Sequence, residues 1–107
     1  MIAEFIRRAE MVLLPSEREG FGLPVAETLA CGTVLVASDI PVLREVGGDG
    51  AIYAPLADID AWSTIVCELL SGARTGPDRE TRLAVASKYT WENHANTILA
   101  AYDRLQN

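Results

Sequence analysis

Two kinds of apolar pattern alternate along the chain. Met11-Val12-Leu13-Leu14, Val34-Leu35-Val36-Ala37 and Ala51-Ile52-Tyr53-Ala54 are short runs without polar alternation, as in parallel strands buried on both faces. The first of them is expected to be a central strand. The stretches between and around them have the helical period. Residues 1–10 place Ile2, Phe5 and Ile6 on one side with Arg7 and Arg8 facing away, which predicts a short cover helix. A helix over 24–31 has Pro24 in its first turn and Gly32 just past its end, the positions those residues favour. A short helical turn is predicted over 41–46, and the glycines at 47, 48 and 50 mark a loop. Asp58 or Asp60 can cap a helix to about residue 72, with Ile65, Val66, Leu69 and Leu70 as its buried stripe. After a break at 71–77, Pro77 opens a helix to about 89, and Thr90 caps a last one to about 105, anchored by Trp91 and Ile98. The alternation predicts an α/β fold, a three-stranded parallel sheet flanked by helices in the doubly wound manner.

Composition narrows this picture. Half of the 107 residues are apolar, enough for one small domain with a core, so residues 1–107 are read as a single unit. The formal charge of −6 and isoelectric point near 4.6 argue against nucleic acid or an anionic membrane surface as partners, since both need clustered cations. Arg7 and Arg8 are the only adjacent basic pair. No apolar run has the length of a membrane span, and the N-terminus lacks the order of a signal peptide, so the cytoplasm is the expected location. Cys31 and Cys67 fall within predicted helices, with no CxxC spacing, and read as reduced core residues. His94 has no Cys or His near it, and the D-x-D spacing of Asp58-Ile59-Asp60 falls at a helix start, where these residues read as caps rather than as an acidic cluster for a divalent metal, so metal-independent chemistry without a cofactor is expected.

The candidate chemistry lies in Ser16-Glu17-Arg18-Glu19-Gly20-Phe21-Gly22-Leu23-Pro24-Val25-Ala26-Glu27, between the first strand and the helix after it. Pro15 ends the strand ladder, and Gly20 and Gly22 allow the backbone to approach a ligand closely. A strand, a glycine loop and a helix start together present free N–H groups and a positive dipole end at the carboxyl edge of a sheet, where a phosphate would be favoured. Glu19 and Glu27 frame that position with seven residues between them. Ionised carboxylates only accept hydrogen bonds, so they suit paired sugar hydroxyls on either side of a diphosphate rather than the phosphates themselves. The same residues also have a plainer reading: a Glu near a helix start is favoured by the dipole without a ligand, and Gly-Phe-Gly can be only a tight connection. Asp39, after the second strand, either lines the crevice or, the stronger reading, caps the turn at 41–46.

Glu19-Gly-Phe-Gly-Leu-Pro-Val-Ala-Glu27, followed by Thr28-Leu-Ala-Cys-Gly32 and Ala37-Ser-Asp-Ile-Pro-Val-Leu-Arg-Glu-Val46, resembles the E-x7-E region of the retaining group 1 (GT4-type) glycosyltransferases of GT-B fold. The resemblance runs over nearly the whole chain and covers the second half of that family's C-terminal, donor-binding domain, a Rossmann-like unit. It implies that Glu19 lies at the donor sugar, that Glu27 binds the ribose, and that the amides of Gly20, Phe21, Gly22 and Leu23 face the sugar and diphosphate. Val34 departs from the Pro common there and affects only the entry to a strand. By the family strand order 3-2-1-4-5-6, the three strands are the fourth, fifth and sixth, and the chain is cut at its own switch point. The implied function is the donor-site portion of an enzyme that moves a sugar from a nucleotide-diphosphate sugar to an acceptor with retention. Its partners would be that donor, the N-terminal domain and the first half of the C-terminal domain, and the fragment alone would be inactive. A second reading is a non-catalytic assembly module that forms a homodimer through its exposed first strand. A third and weaker one is a GT-B epimerase acting on nucleotide sugars without transfer.

Overall fold

The three apolar runs pair as parallel strands in a computed structural model that describes residues 3–17 and 23–88. The strands are β1 (Val12–Leu14), β2 (Leu35–Ser38) and β3 (Ile52–Ala54), in the order β1-β2-β3. Leu13 faces Val36 in register, and Ala37 faces Tyr53. The helices are α1 (Ala3–Arg8), α2 (Leu23–Ala30), α3 (Pro41–Gly47), α4 (Ile59–Ser71) and α5 (Arg79–Ala86), with a 3-10 turn over Gly48–Gly50.

β2 is buried at all four positions, and its pleat splits the core in two. Leu35 and Ala37 face a cluster that includes Leu14 of β1, Val25 and Leu29 of α2, Leu43 and Val46 of α3, and Val85 of α5. Val36, on the opposite face, meets Ala54 and Ile65 of α4, with Ile52, Trp62 and Leu69 packed against them. Alternate residues of one apolar run therefore serve two layers, which is why it carries no polar position. Turn chemistry agrees with the sequence. Gly32 follows α2 at φ +73° and Gly72 caps α4 at φ +83°, a conformation glycine adopts without steric cost. Asp58 caps α4 by accepting from the Ala61 N–H at 3.0 Å.

Several expectations are corrected. β1 is not buried on both faces: Leu13 is 45% exposed, because among the described residues β1 pairs with β2 alone. Phe5 is 72% exposed, and Ile6 is the buried side chain of α1 among the described residues, where the helix packs against α2; Ile2 lies outside the described residues. The stripe of α4 runs through Trp62, Ile65 and Leu69, and Leu70, one position further round the helix, is turned to solvent. Cys67 is exposed for the same reason, while Cys31 is half-buried in the turn after α2. The glycine loop at 47–50 is partly helical, with Gly47 ending α3. The following helix starts at Arg79, capped by Asp78 rather than opened by Pro77. The last predicted helix, with Trp91, His94 and Ile98, lies outside the described residues. No helix among those described is long and apolar enough to cross a membrane.

Candidate functional site

Parallel strands bring their carboxyl ends to one edge. β1 ends there at Leu14, and α2, which begins at Leu23, packs over β1 and β2. Glu19, Gly20, Phe21 and Gly22 lie outside the described residues, and with them the convergence expected of Glu19 and Glu27. Leu23 opens α2 and Pro24 is its second residue. The N–H groups of Leu23, Val25 and Ala26 belong to the first turn, which has no intrahelical acceptors for them, and Pro24 has none to place. Glu27 sits in the second turn of α2 and is exposed, which leaves its carboxylate accessible to a ligand.

The neighbours of Glu27 hold α2 in place. Val25, Thr28 and Leu29 are fully buried, and the Thr28 hydroxyl donates to the Pro24 carbonyl at 2.7 Å. Thr28 thus uses its polar group within its own helix, so α2 presents its apolar face to the core and Glu27 to solvent. The ends of β1 and β2 are tied by Ser38, which is buried and donates its hydroxyl to the Leu14 carbonyl at 3.4 Å. Asp39 continues from there, and its N–H donates to the Ala54 carbonyl at 2.8 Å.

Asp39 corrects the sequence reading. The N-cap of α3 is Ile40, with no side-chain capping bond. The Asp39 carboxylate instead accepts two hydrogen bonds from the Arg44 guanidinium, Nε to Oδ1 and, at 3.1 Å, Nη2 to Oδ2. That pairing holds the Asp39 carboxyl below its ordinary range, chiefly through the hydrogen bonds. Arg44 also lies over the Tyr53 ring, 4.5 Å from its centre, and the Tyr53 hydroxyl donates to the Gly48 carbonyl at 2.9 Å. Sequence reasoning missed this bracket; its only signal is an Asp and an Arg five residues apart across the start of a predicted helix. Among the described residues no group of three or more His, Cys, Asp or Glu side chains is placed to hold a metal ion.

Three comparisons bear on this arrangement. A family model described as "Glycosyl transferases group 1" matches residues 1–90. The chain is 36% identical over 98 residues to the O-antigen chain mannosyltransferase B of Escherichia coli, covering 91% of this chain and 26% of that protein. It is 31% identical over 109 residues to a D-inositol 3-phosphate glycosyltransferase of Mycobacterium marinum, covering 96% and 23%. Among solved structures it is similar to sucrose-phosphate synthase from Thermosynechococcus elongatus, with a TM-score of 0.71 and 25% identity over 94% of this chain and 26% of that one. The sheet and its helices are therefore those of a GT-B glycosyltransferase. The chain spans about a quarter of the length of the curated relatives it matches.

Proposed function

Since the chain belongs to the group 1 glycosyl transferases, we propose that it is the donor-site portion of a retaining enzyme that transfers a sugar from a nucleotide-diphosphate sugar. In this reading residues 1–107 are the second half of a C-terminal GT-B domain. The observation that supports it is that β1 ends at Leu14 and α2 begins at Leu23, so that the E-x7-E residues fall in sequence between a strand's carboxyl end and a helix, with Glu27 exposed on that helix. Transfer requires stabilising the charge that builds on the departing diphosphate while the sugars on either side are gripped. The N–H groups from Gly20 to Leu23 and the positive end of α2 would serve the diphosphate. Glu27 would accept from the ribose hydroxyls and Glu19 would act at the donor sugar. The D-x-D pair Asp58-Ile59-Asp60 opens α4, where the Asp58 carboxylate accepts from the Ala61 N–H as a cap, and the proposal assigns it no metal and places the enzyme in the cytoplasm.

Basic residues that would face the diphosphate, and the acceptor site, are assigned to the rest of the relatives' length. The chain alone is accordingly expected to show no turnover with a UDP- or GDP-sugar, and measurable transfer by the purified chain would refute that. Binding is the sharper test. Calorimetry or saturation-transfer NMR with a panel of nucleotide diphosphates and nucleotide sugars should show ribose contacts in the wild type that are lost in Glu27→Ala. Equal binding by both would remove Glu27 from the site.

A second reading, an assembly module, is favoured by one observation: β1 has a free edge among the described residues and Leu13 is exposed beside it. It predicts self-association without nucleotide binding.

A further inference from the structure

We propose that the amino edge of the sheet, opposite the carboxyl ends of β1 and β2, carries a cleft that binds a phosphate group. The cleft has a volume of about 280 Å³, and Arg7, Arg8, Arg79 and Arg82 line it around Gly32 and Thr33. Ala9 and Glu10 precede β1 there, and Thr33 and Val34 precede β2, which puts it at the end of the sheet away from Leu14 and Ser38. The inference rests on none of the donor-site assignments.

The cleft gathers four of the nine Lys and Arg residues of a chain whose formal charge is −6. Their pairing differs from that of the other described arginines. Arg44 is bound to Asp39, and Arg74 to Glu68 at 3.1 Å. In the cleft only Arg8 has a carboxylate partner, Glu4 at 2.9 Å, and both are exposed. Arg7, Arg79 and Arg82 form no ion pair among the described residues. Glu10, the one acidic residue of the lining among the described residues, is exposed and bridges to none of them.

Arg82 is held by dipoles instead of a charge. Its Nε and Nη2 donate to the Gly32 carbonyl at 2.9 and 2.8 Å, and Nη1 donates to the Pro77 carbonyl. Three of its five N–H groups are used, so two remain for a ligand. Arg79 lies one turn earlier on α5, and its guanidinium rests against Gly32: a Cβ there would stand 2.6 Å from its Nη1. The absent side chain lets the two guanidinium groups crowd the turn from above. Burial first, and then the Arg79 charge, hold Arg82 below its ordinary value, with Asp78 opposing; the Asp78 carboxylate is engaged in capping the Thr81 N–H at 2.7 Å. Like charges brought together, with no carboxylate bridging Arg7, Arg79 or Arg82 among the described residues, favour an oxyanion. Guanidinium forks match phosphate oxygens, and a concave site on an otherwise acidic chain fits one phosphate group rather than a nucleic-acid strand.

The test uses the 107-residue chain at constant ionic strength, titrated with inorganic phosphate and pyrophosphate and followed by calorimetry and by NMR of the arginine Nε–H signals. Saturable one-to-one binding that shifts Arg79 and Arg82 is expected. Loss of one charge-assisted contact should weaken it about tenfold in Arg79→Gln and in Arg7→Gln, whose residues are exposed and on different helices. Glu27→Ala should bind the same anions at this cleft as the wild type, which separates the result from the donor site. A second arm measures co-sedimentation with phosphatidylcholine vesicles containing phosphatidic acid. Binding of pyrophosphate in solution assigns the cleft to a free phosphate compound, and vesicle binding alone, lost in Arg79→Gln, assigns it to a lipid phosphate headgroup. Binding in neither arm, shifts that follow ionic strength with any anion, or binding unchanged in both glutamine variants would overturn the proposal.

Discussion

Asp39 shows how one residue can be placed correctly by sequence and still be given the wrong partner. Its position after β2 at the carboxyl edge is readable from the strand run and the Pro41 that follows, but its hydrogen bonds depend on where Arg44 arrives after a turn of α3. The pair sets a pH dependence. Asp39 is held below its usual 3.8, so its contribution to stability is present above that value and is lost as pH falls through the lower folded value. Asp39→Asn should therefore unfold at lower urea than the wild type at pH 7, and the gap should close below about pH 4, where the unfolded carboxylate is itself protonated. A gap of equal size at pH 3 would show that the bracket works through packing alone. Gly32 makes a second test at this scale. At φ +73° an alanine pays about 1 kcal/mol in left-handed strain, and its Cβ also displaces Arg79. Gly32→Ala should lower the unfolding free energy by roughly that amount, read from urea denaturation; a neutral effect would mean that the turn relaxes.

Elements were legible where one residue or one run controls them. Leu35, Val36 and Ala37 of β2 are apolar because both faces of the strand are covered, and α4 is capped by Asp58 and stops at Gly72 because a side-chain cap and a left-handed glycine act locally. Asp58→Ala should accordingly cost about 1 kcal/mol, seen as a lower thermal midpoint with unchanged native circular dichroism. The choice of stripe on α4 was less legible, since Ile65, Val66, Leu69 and Leu70 all fit a helical period and only the placement of Val36 and Ala54 decides which of them meets the sheet. The same holds for Phe5 and Ile6 on α1. α2 carries the largest consequence, because its buried Leu29 sets the face that leaves Glu27 outward. Leu29→Ala should cost about 2–5 kcal/mol and weaken any nucleotide binding with it, whereas Glu27→Ala should affect binding at nearly constant stability.

For the whole molecule, the open question in the sequence was the fate of the first strand. Four apolar residues in a row call for cover on both faces, and the described chain covers one side only, leaving Leu13 45% exposed beside an unpaired ladder. Sedimentation velocity of the isolated chain is expected to show concentration-dependent association, and Leu13→Lys should shift it toward monomer. A monomer at every concentration would argue against association through this edge. By itself, the sequence determined the order of the described strands and main helices, the parallel pairing of the strands and the family to which the chain belongs. These follow from local patterns: apolar runs, caps, left-handed glycines and the E-x7-E spacing. Only the tertiary structure decided which of several equally apolar side chains turn inward, that Asp39 binds Arg44, and that arginines more than seventy residues apart, Arg7 and Arg82, line one cleft. Those outcomes depend on the angle at which a helix meets the sheet, a long-range property that no short window of residues contains.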